Sequence, residues 1–222
     1  LAGMPAAGRV VEVDLDRLPG WVERFAVRHG ALTEELVGST DGHQVVAIAA
    51  ADGARAELAV PYGPLPPGGD GGLIGLLVAH VGEARTIGVL LVRRGGWAVA
   101  VVGDGAVVVS DAGGGYVQGT TKAGGWSQQR YARRRGNQTQ QVWDRAADGT
   151  AGVLAPYRSR IGALVTGGDR AGVSAVLADQ RLLDLLPLVE PRFFAIGDPN
   201  RTVLDDVVRR LRCVVITLNE LA

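Results

Sequence analysis

The chain has 222 residues, 47% of them apolar and 21% charged, and its 23 lysines and arginines balance 23 acidic side chains. One cysteine, Cys213, excludes an internal disulfide and a cysteine metal cluster, and three scattered histidines (His29, His43, His80) offer no zinc set. No uninterrupted apolar stretch approaches the roughly 18 residues a bilayer requires, and no signal peptide opens the chain, so the expectation is a folded, cytoplasmic protein with no membrane partner.

Val10–Val13 reads as a short strand. Asp14 then caps a helix reaching His29, with Leu18, Trp21, Val22, Phe25 and Ala26 on its apolar face. Val45–Ala50 and Ala54–Val60 flank Ala51-Asp52-Gly53, a hairpin signal. Residues 61–72 hold four prolines and five glycines, the composition of a linker. Residues 1–72 are therefore expected to form a small α+β lobe, and residues 73–222 a second domain. Leu73–Val81 reads equally as a helix or as more of the loop.

Arg85–Arg93, Gly96–Val102 and Ala106–Asp111 are valine-rich runs separated by turn residues, which predicts a three-stranded antiparallel meander. A glycine loop follows over residues 112–126, then a helix from about Ser127 to Ala147. Ala163–Thr166 and Arg192–Ile196 read as strands, with a helix near Ala171–Ala178 and a short one at Leu182–Leu186 between them. A helix from Pro199-Asn200 to Arg210 and a strand at Val214–Thr217 complete the chain; Cys213 beside that strand reads as a buried, inert thiol. The predicted fold class is mixed α/β: an RNase H-like mixed sheet with helices on its faces, preceded by a small α+β N-terminal lobe.

Between Lys122 and Arg145 the sequence places six cations (Lys122, Arg130, Arg133, Arg134, Arg135, Arg145) against one anion, Asp144. At about 100° per residue, Arg130, Arg133, Arg134, Asn137, Gln138 and Gln141 share one arc of a helix. The opposite arc carries Ala132, Gly136, Thr139, Trp143 and Ala146, small residues with Trp143 as an anchor against a sheet. A solvated helix face normally mixes Glu with Arg. This one does not, which points to phosphate and ribose of RNA. The preceding loop is not a P-loop, because Gly-Lys-Ser/Thr is missing and Lys122 comes before the glycine pair. Asp104, Asp111 and Asp198, at predicted strand ends, raise a minor second reading as a two-metal nuclease site, although turn formation and capping also account for them.

The segment Thr121-Lys122-Ala123-Gly124-Gly125-Trp126-Ser127-Gln128-Gln129-Arg130-Tyr131-Ala132-Arg133-Arg134-Arg135, followed by Asn137-Gln138, resembles the signature of the actinobacterial Vms1-like release factors. These are relatives of the catalytic middle domain of the eukaryotic and archaeal peptide-chain release factor, and the resemblance runs from about residue 85 to the end. It implies a peptidyl-tRNA hydrolase acting on stalled large ribosomal subunits, as a monomer, with rRNA and peptidyl-tRNA as partners and no metal or cofactor. Gly124 and Gly125 match the family's glycine pair and Gln128 its catalytic glutamine, with Ser127 beside it. Trp126 and Ser127 separate the glycines from Gln128, and Gln129 follows directly, so Gln129 is the alternative. Lys122, Arg130, Arg133, Arg134, Asn137 and Gln138 would hold RNA, and Trp126 would stack on a base or anchor the loop. Some relatives cut the tRNA acceptor end instead of the ester. A non-catalytic ribosome or tRNA adaptor is the remaining alternative.

Overall fold

The computed structural model describes residues 8–38, 43–67, 72–114 and 126–222, with 126–137 described as helical backbone alone. It divides into two units: one runs to Glu83 and includes Arg210–Ala222, and the other is Ala84–Arg209.

In the first unit, β1 (Val10–Asp14) leads through a 3-10 turn (Leu15–Arg17) into α1 (Leu18–His29). Pro19 sits at the start of α1, where a missing N–H costs nothing, and Leu18 and Phe25 are its buried residues. β2 (Leu32–Gly38), β3 (Gln44–Ala50), β4 (Arg55–Ala59) and α2 (Gly72–Gly82) follow. The β3–β4 turn is held by Asp52: one carboxylate oxygen accepts the Ala54 N–H at 2.9 Å, and the other lies 2.8 Å from His29 Nδ1. The Ala54 bond first, and His29 second, hold that carboxyl below its ordinary value. The segment 73–81, open between helix and loop on sequence grounds, is helical. Glu34 accepts the N–H groups of Leu73 and Ile74 at 2.6 and 3.3 Å, satisfying first-turn donors. Leu77 and Val81 join Leu15 and Leu18 in the core, and buried His80 reaches the Pro61 carbonyl at 2.9 Å through Nε2.

The second unit opens with the expected meander, β5 (Thr86–Arg93), β6 (Gly96–Gly103) and β7 (Ala106–Gly114). Asp104 and Gly105, at φ 50° and 76°, make the β6–β7 turn the primed type that matches strand twist. After α3 (Trp126–Leu154) come a 3-10 turn (Ala155–Tyr157), β8 (Ile161–Gly168), α4 (Arg170–Leu177), a 3-10 segment (Gln180–Leu188), β9 (Val189–Phe194) and α5 (Arg201–Arg210). The sheet order is β7-β6-β5-β8-β9, in which β5, β8 and β9 run parallel and β6 runs against both its neighbours. This is the RNase H-like mixed sheet. Leu90, Val92, Val99 and Val101 form one core with α3 and α4, and the alternate residues Val89, Leu91, Ala98 and Ala100 are buried as well. Both faces of the central strands are covered, which explains their near-continuous apolar sequence. Asp169 and Asn200 cap α4 and α5, accepting the N–H groups of Ala171 and Val203 at 3.0 Å each.

Three expectations change. β10 (Cys213–Leu218) does not close the second sheet. It lies between β1 and β4, making the first sheet β1-β10-β4-β3-β2, antiparallel throughout. Val214, Ile216 and Leu218 complete the first core, so residues 73–83 and 210–222 belong with the first unit rather than with a domain 73–222. α3 extends seven residues past Ala147, through Gly149 and Gly152. Cys213 is half-buried, because its strand alternates Val214 and Ile216 inward and 213 and 215 less so.

Candidate functional site

The segment singled out by its charge joins β7 to α3. β7 ends at Gly113–Gly114, paired in register with Trp97 and Gly96 of β6. Trp97 is 6% exposed and lies between two backbones that carry no side chain. A Cβ on Gly113 would stand 2.8 Å from indole Cε2, and one on Gly149 would stand 2.6 Å from Cζ3. The ring thus fills the space where β7, just before residues 115–125, passes the inner half of α3.

Trp143, the anchor expected from helical spacing, is half-buried and packs on the same core. A Cβ on Gly172 of α4 would stand 2.9 Å from its Nε1, an atom that is buried and, among the described residues, has no hydrogen-bond partner. Ala146 is fully buried, as its arc required. Near its end α3 is tied again: Arg181 reaches Asp148 of α3 and Asp179, at 2.7 Å each. Arg181's guanidinium first, and its backbone N–H second, lower the Asp179 carboxyl to about 2, and both carboxylates raise the Arg181 pKa.

Val142 is the first buried side chain along α3 among its described residues. From Trp126 to Val142 the helix rises about 24 Å. Gln140 and Gln141 are exposed and Gln138 half-buried. Asp144, the anion of the segment, accepts from Gln140 Nε2 at 2.9 Å, while Arg145 donates to the Gln141 carbonyl at 3.1 Å. Ser127, Gln128 and Gln129 fall on first-turn backbone of α3, with Trp126 at its first position and Arg130, Arg133, Arg134 and Asn137 further along. Lys122, Gly124 and Gly125 lie outside the described residues, as do the side chains of residues 126–137.

One cation beside this region escaped the sequence reading. Arg94, in the β5–β6 turn, has a side chain 80% exposed, with Asp169 Oδ2 at 3.9 Å. A Cβ on Gly114 would stand 3.0 Å from the carbonyl of the adjoining Gly95, so the turn borders the end of β7. Its signal was the pair Arg93-Arg94 at a strand end. Arg93 itself is committed, donating to the Ile196 carbonyl at 2.7 Å.

The three aspartates weighed as metal ligands do not converge. Asp104 makes the β6–β7 turn, and Asp111 lies about 20 Å along β7 from it. Asp111 accepts the Ala112 N–H at 2.8 Å, and the side chain of Asp198 is 87% exposed. Among the described residues no three His, Cys, Asp or Glu side chains are grouped to hold a metal ion, and no helix is long and apolar enough to cross a membrane.

No curated protein matches the chain. Among solved structures it is similar to the archaeal translation termination factor aRF1, at 12% identity and a TM-score of 0.44 over 57% of this chain and 36% of that one. A second, described as an archaeal protein, is 12% identical with a TM-score of 0.41 over 77% and 48% of the two chains. The chain thus spans less than half the length of either. The family model for the Actinobacteria/chloroflexi VLRF1 release factor matches residues 85–217. That match takes in the whole of β5 to α5, the glycine–glutamine segment and the cationic half of α3, and the chain belongs to this release factor family.

Proposed function

We propose that the protein releases nascent chains from peptidyl-tRNA on stalled large ribosomal subunits in the cytoplasm, by hydrolysis of the ester between peptide and tRNA. The observation that carries this reading is the pairing of a Gly124-Gly125-Trp126-Ser127-Gln128 segment with a helix whose far half is pinned by Trp97 and Trp143. A narrow RNA-lined cavity is best entered by a tip on a rigid support, and family membership supports the assignment.

The amide of Gln128 does not titrate near neutral pH. Its work is positional: it holds water against the ester carbonyl, while backbone N–H groups of the glycine segment donate hydrogen bonds to the carbonyl oxygen as negative charge develops on it. Arg130, Arg133 and Arg134, with Lys122, Asn137 and Gln138, hold phosphate and ribose. Trp126 stacks on a base near the tRNA end. The ribosome and the tRNA supply the remainder of the site, so free small esters are poor substrates.

The test is incubation of the purified protein with large subunits carrying labelled peptidyl-tRNA, followed by sizing of the tRNA. Released peptide with an intact tRNA 3′ end supports ester hydrolysis. A shortened acceptor end would mean phosphodiester cleavage, and binding without release would leave an adaptor.

A further inference from the structure

The first unit carries a groove of about 380 Å³ that the proposed release reaction does not use. α1 forms one wall, and Arg9, Val11 and Val13 with Leu218 of β10 form the other. Two columns of side chains run along α1. Trp21, Phe25 and His29 recur every four residues. Trp21 stacks on Phe25 with ring centroids 5.4 Å apart and 21° between planes, and Phe25 meets His29 at 4.7 Å. Asp52 fixes the outer end of that ladder through His29 Nδ1 at 2.8 Å.

Arg24 and Arg28 make the second column, and Arg9 joins them from the opposite wall. All three are exposed, and among the described residues none of their guanidinium groups has an ion-pair or hydrogen-bond partner. Of the other arginines in this unit, Arg55, Arg210 and Arg212 are engaged, by Glu57 at 3.4 Å, Glu12 at 2.6 Å and Asp16 at 3.5 Å. Among the described residues no acidic side chain lines the groove. Three uncompensated guanidinium groups beside an aromatic wall complement a ligand that is flat and apolar on one side and anionic on the other.

We propose that this groove is an RNA-binding site separate from residues 122–138, taking single-stranded RNA with one base against the half-buried Trp21, which Phe25 backs, and neighbouring phosphates at Arg24, Arg28 and Arg9. Arg24 and Arg28 are four residues apart, a rise of about 6 Å, which suits successive phosphates of one strand. An acidic peptide would satisfy the cations and leave the aromatic wall without a flat partner. A free mononucleotide carries a single phosphate group and could not place separate phosphates at Arg24, Arg28 and Arg9.

The test uses the full chain with Arg130, Arg133 and Arg134 replaced by alanine, compared with the same protein also carrying Arg24→Glu and Arg28→Glu. Binding of a short fluorescein-labelled oligouridylate is followed by anisotropy across a salt series. The groove predicts residual binding in the first protein and at least a tenfold loss in the second. The slope of log affinity against log salt becomes shallower by about 1.4, for two phosphate contacts at roughly 0.7 each on a single strand. Photo-crosslinking with 4-thiouridine RNA should label the peptide containing Trp21 and Phe25. Equal affinity in the two proteins, crosslinks confined to residues 122–138, or displacement of the oligonucleotide by polyglutamate or uridine monophosphate at equal charge would overturn the proposal. If the charge reversal disturbs folding, Arg24→Gln with Arg28→Gln decides the same question. Failure of the α3 assignment reads out separately, as undiminished RNA affinity on removing Arg130, Arg133 and Arg134 alone.

Discussion

Gly149 of α3 and Trp97 of β6 are packed so closely that a Cβ at position 149 would stand 2.6 Å from the indole Cζ3. In an isolated helix glycine is worse than alanine by about 1 kcal/mol, so a substitution judged on propensity alone would stabilise α3. Here the steric demand wins. Gly149→Ala is expected to cost about 1–3 kcal/mol, the range for overpacking a filled core, measured by urea denaturation. An unchanged or raised midpoint would show that the helix can lift off the ring without penalty.

Gln128 and Gln129 occupy adjacent first-turn positions of α3, about 100° apart around its axis. One direction therefore suits one of them. Replacing the operative glutamine with alanine should slow single-turnover release about 100-fold, the scale of a lost positioning contact, and leave binding to the large subunit intact. Gln128→Ala should show that loss and Gln129→Ala should not. The reverse pattern would move the role by one residue.

Arg130, Arg133 and Arg134 are proposed to act through phosphate. Replacing all three with alanine should weaken binding to large subunits and reduce the salt slope by about 2, if each contact contributes about 0.7. Release at saturating protein should change much less. Normal affinity with slow release at saturation would instead give these arginines a part in the chemistry.

The Asp179 carboxyl lies at about 2, lowered by Arg181. A carboxylate whose folded value is depressed stabilises the fold fully above its unfolded value near 3.9, and that contribution is lost as pH falls through about 2. The wild type should exceed Asp179→Asn in thermal midpoint by a constant margin from pH 7 to about pH 5. The margin should then shrink below about pH 4. A margin independent of pH down to 2 would assign the effect of Asp179 to its hydrogen bond with the Arg181 N–H rather than to charge.

Much of this architecture is written in local pattern. The turns at Asp52-Gly53 and Asp104-Gly105 mark themselves by residue type, and Asn200 and Asp169 announce helix starts by the same logic. Trp143 and Ala146 were legible because helical period alone sets them on one face. Long-range choices were not. The alternation of Cys213–Leu218 identifies a strand but says nothing of which sheet receives it. The Asp148-Gly149 pair looks like a helix stop until the ring of Trp97, 52 residues earlier, is known to occupy the missing side chain's place. β2 went unread because Leu32–Gly38 is an exposed edge strand whose Thr33, Glu34 and Glu35 bury little. For the site, composition exposed the cationic helix, while Arg94 became visible only once the end of β7 was seen beside its turn.

The placement of β10 sets an order on assembly. β1 has β10 as its partner in the first sheet, so its backbone bonds cannot form until residues 213–218 have left the ribosome that makes them. The intervening stretch 84–209 is contiguous and holds its own sheet. During synthesis β1 must wait for β10 while the residues between the two strands are built.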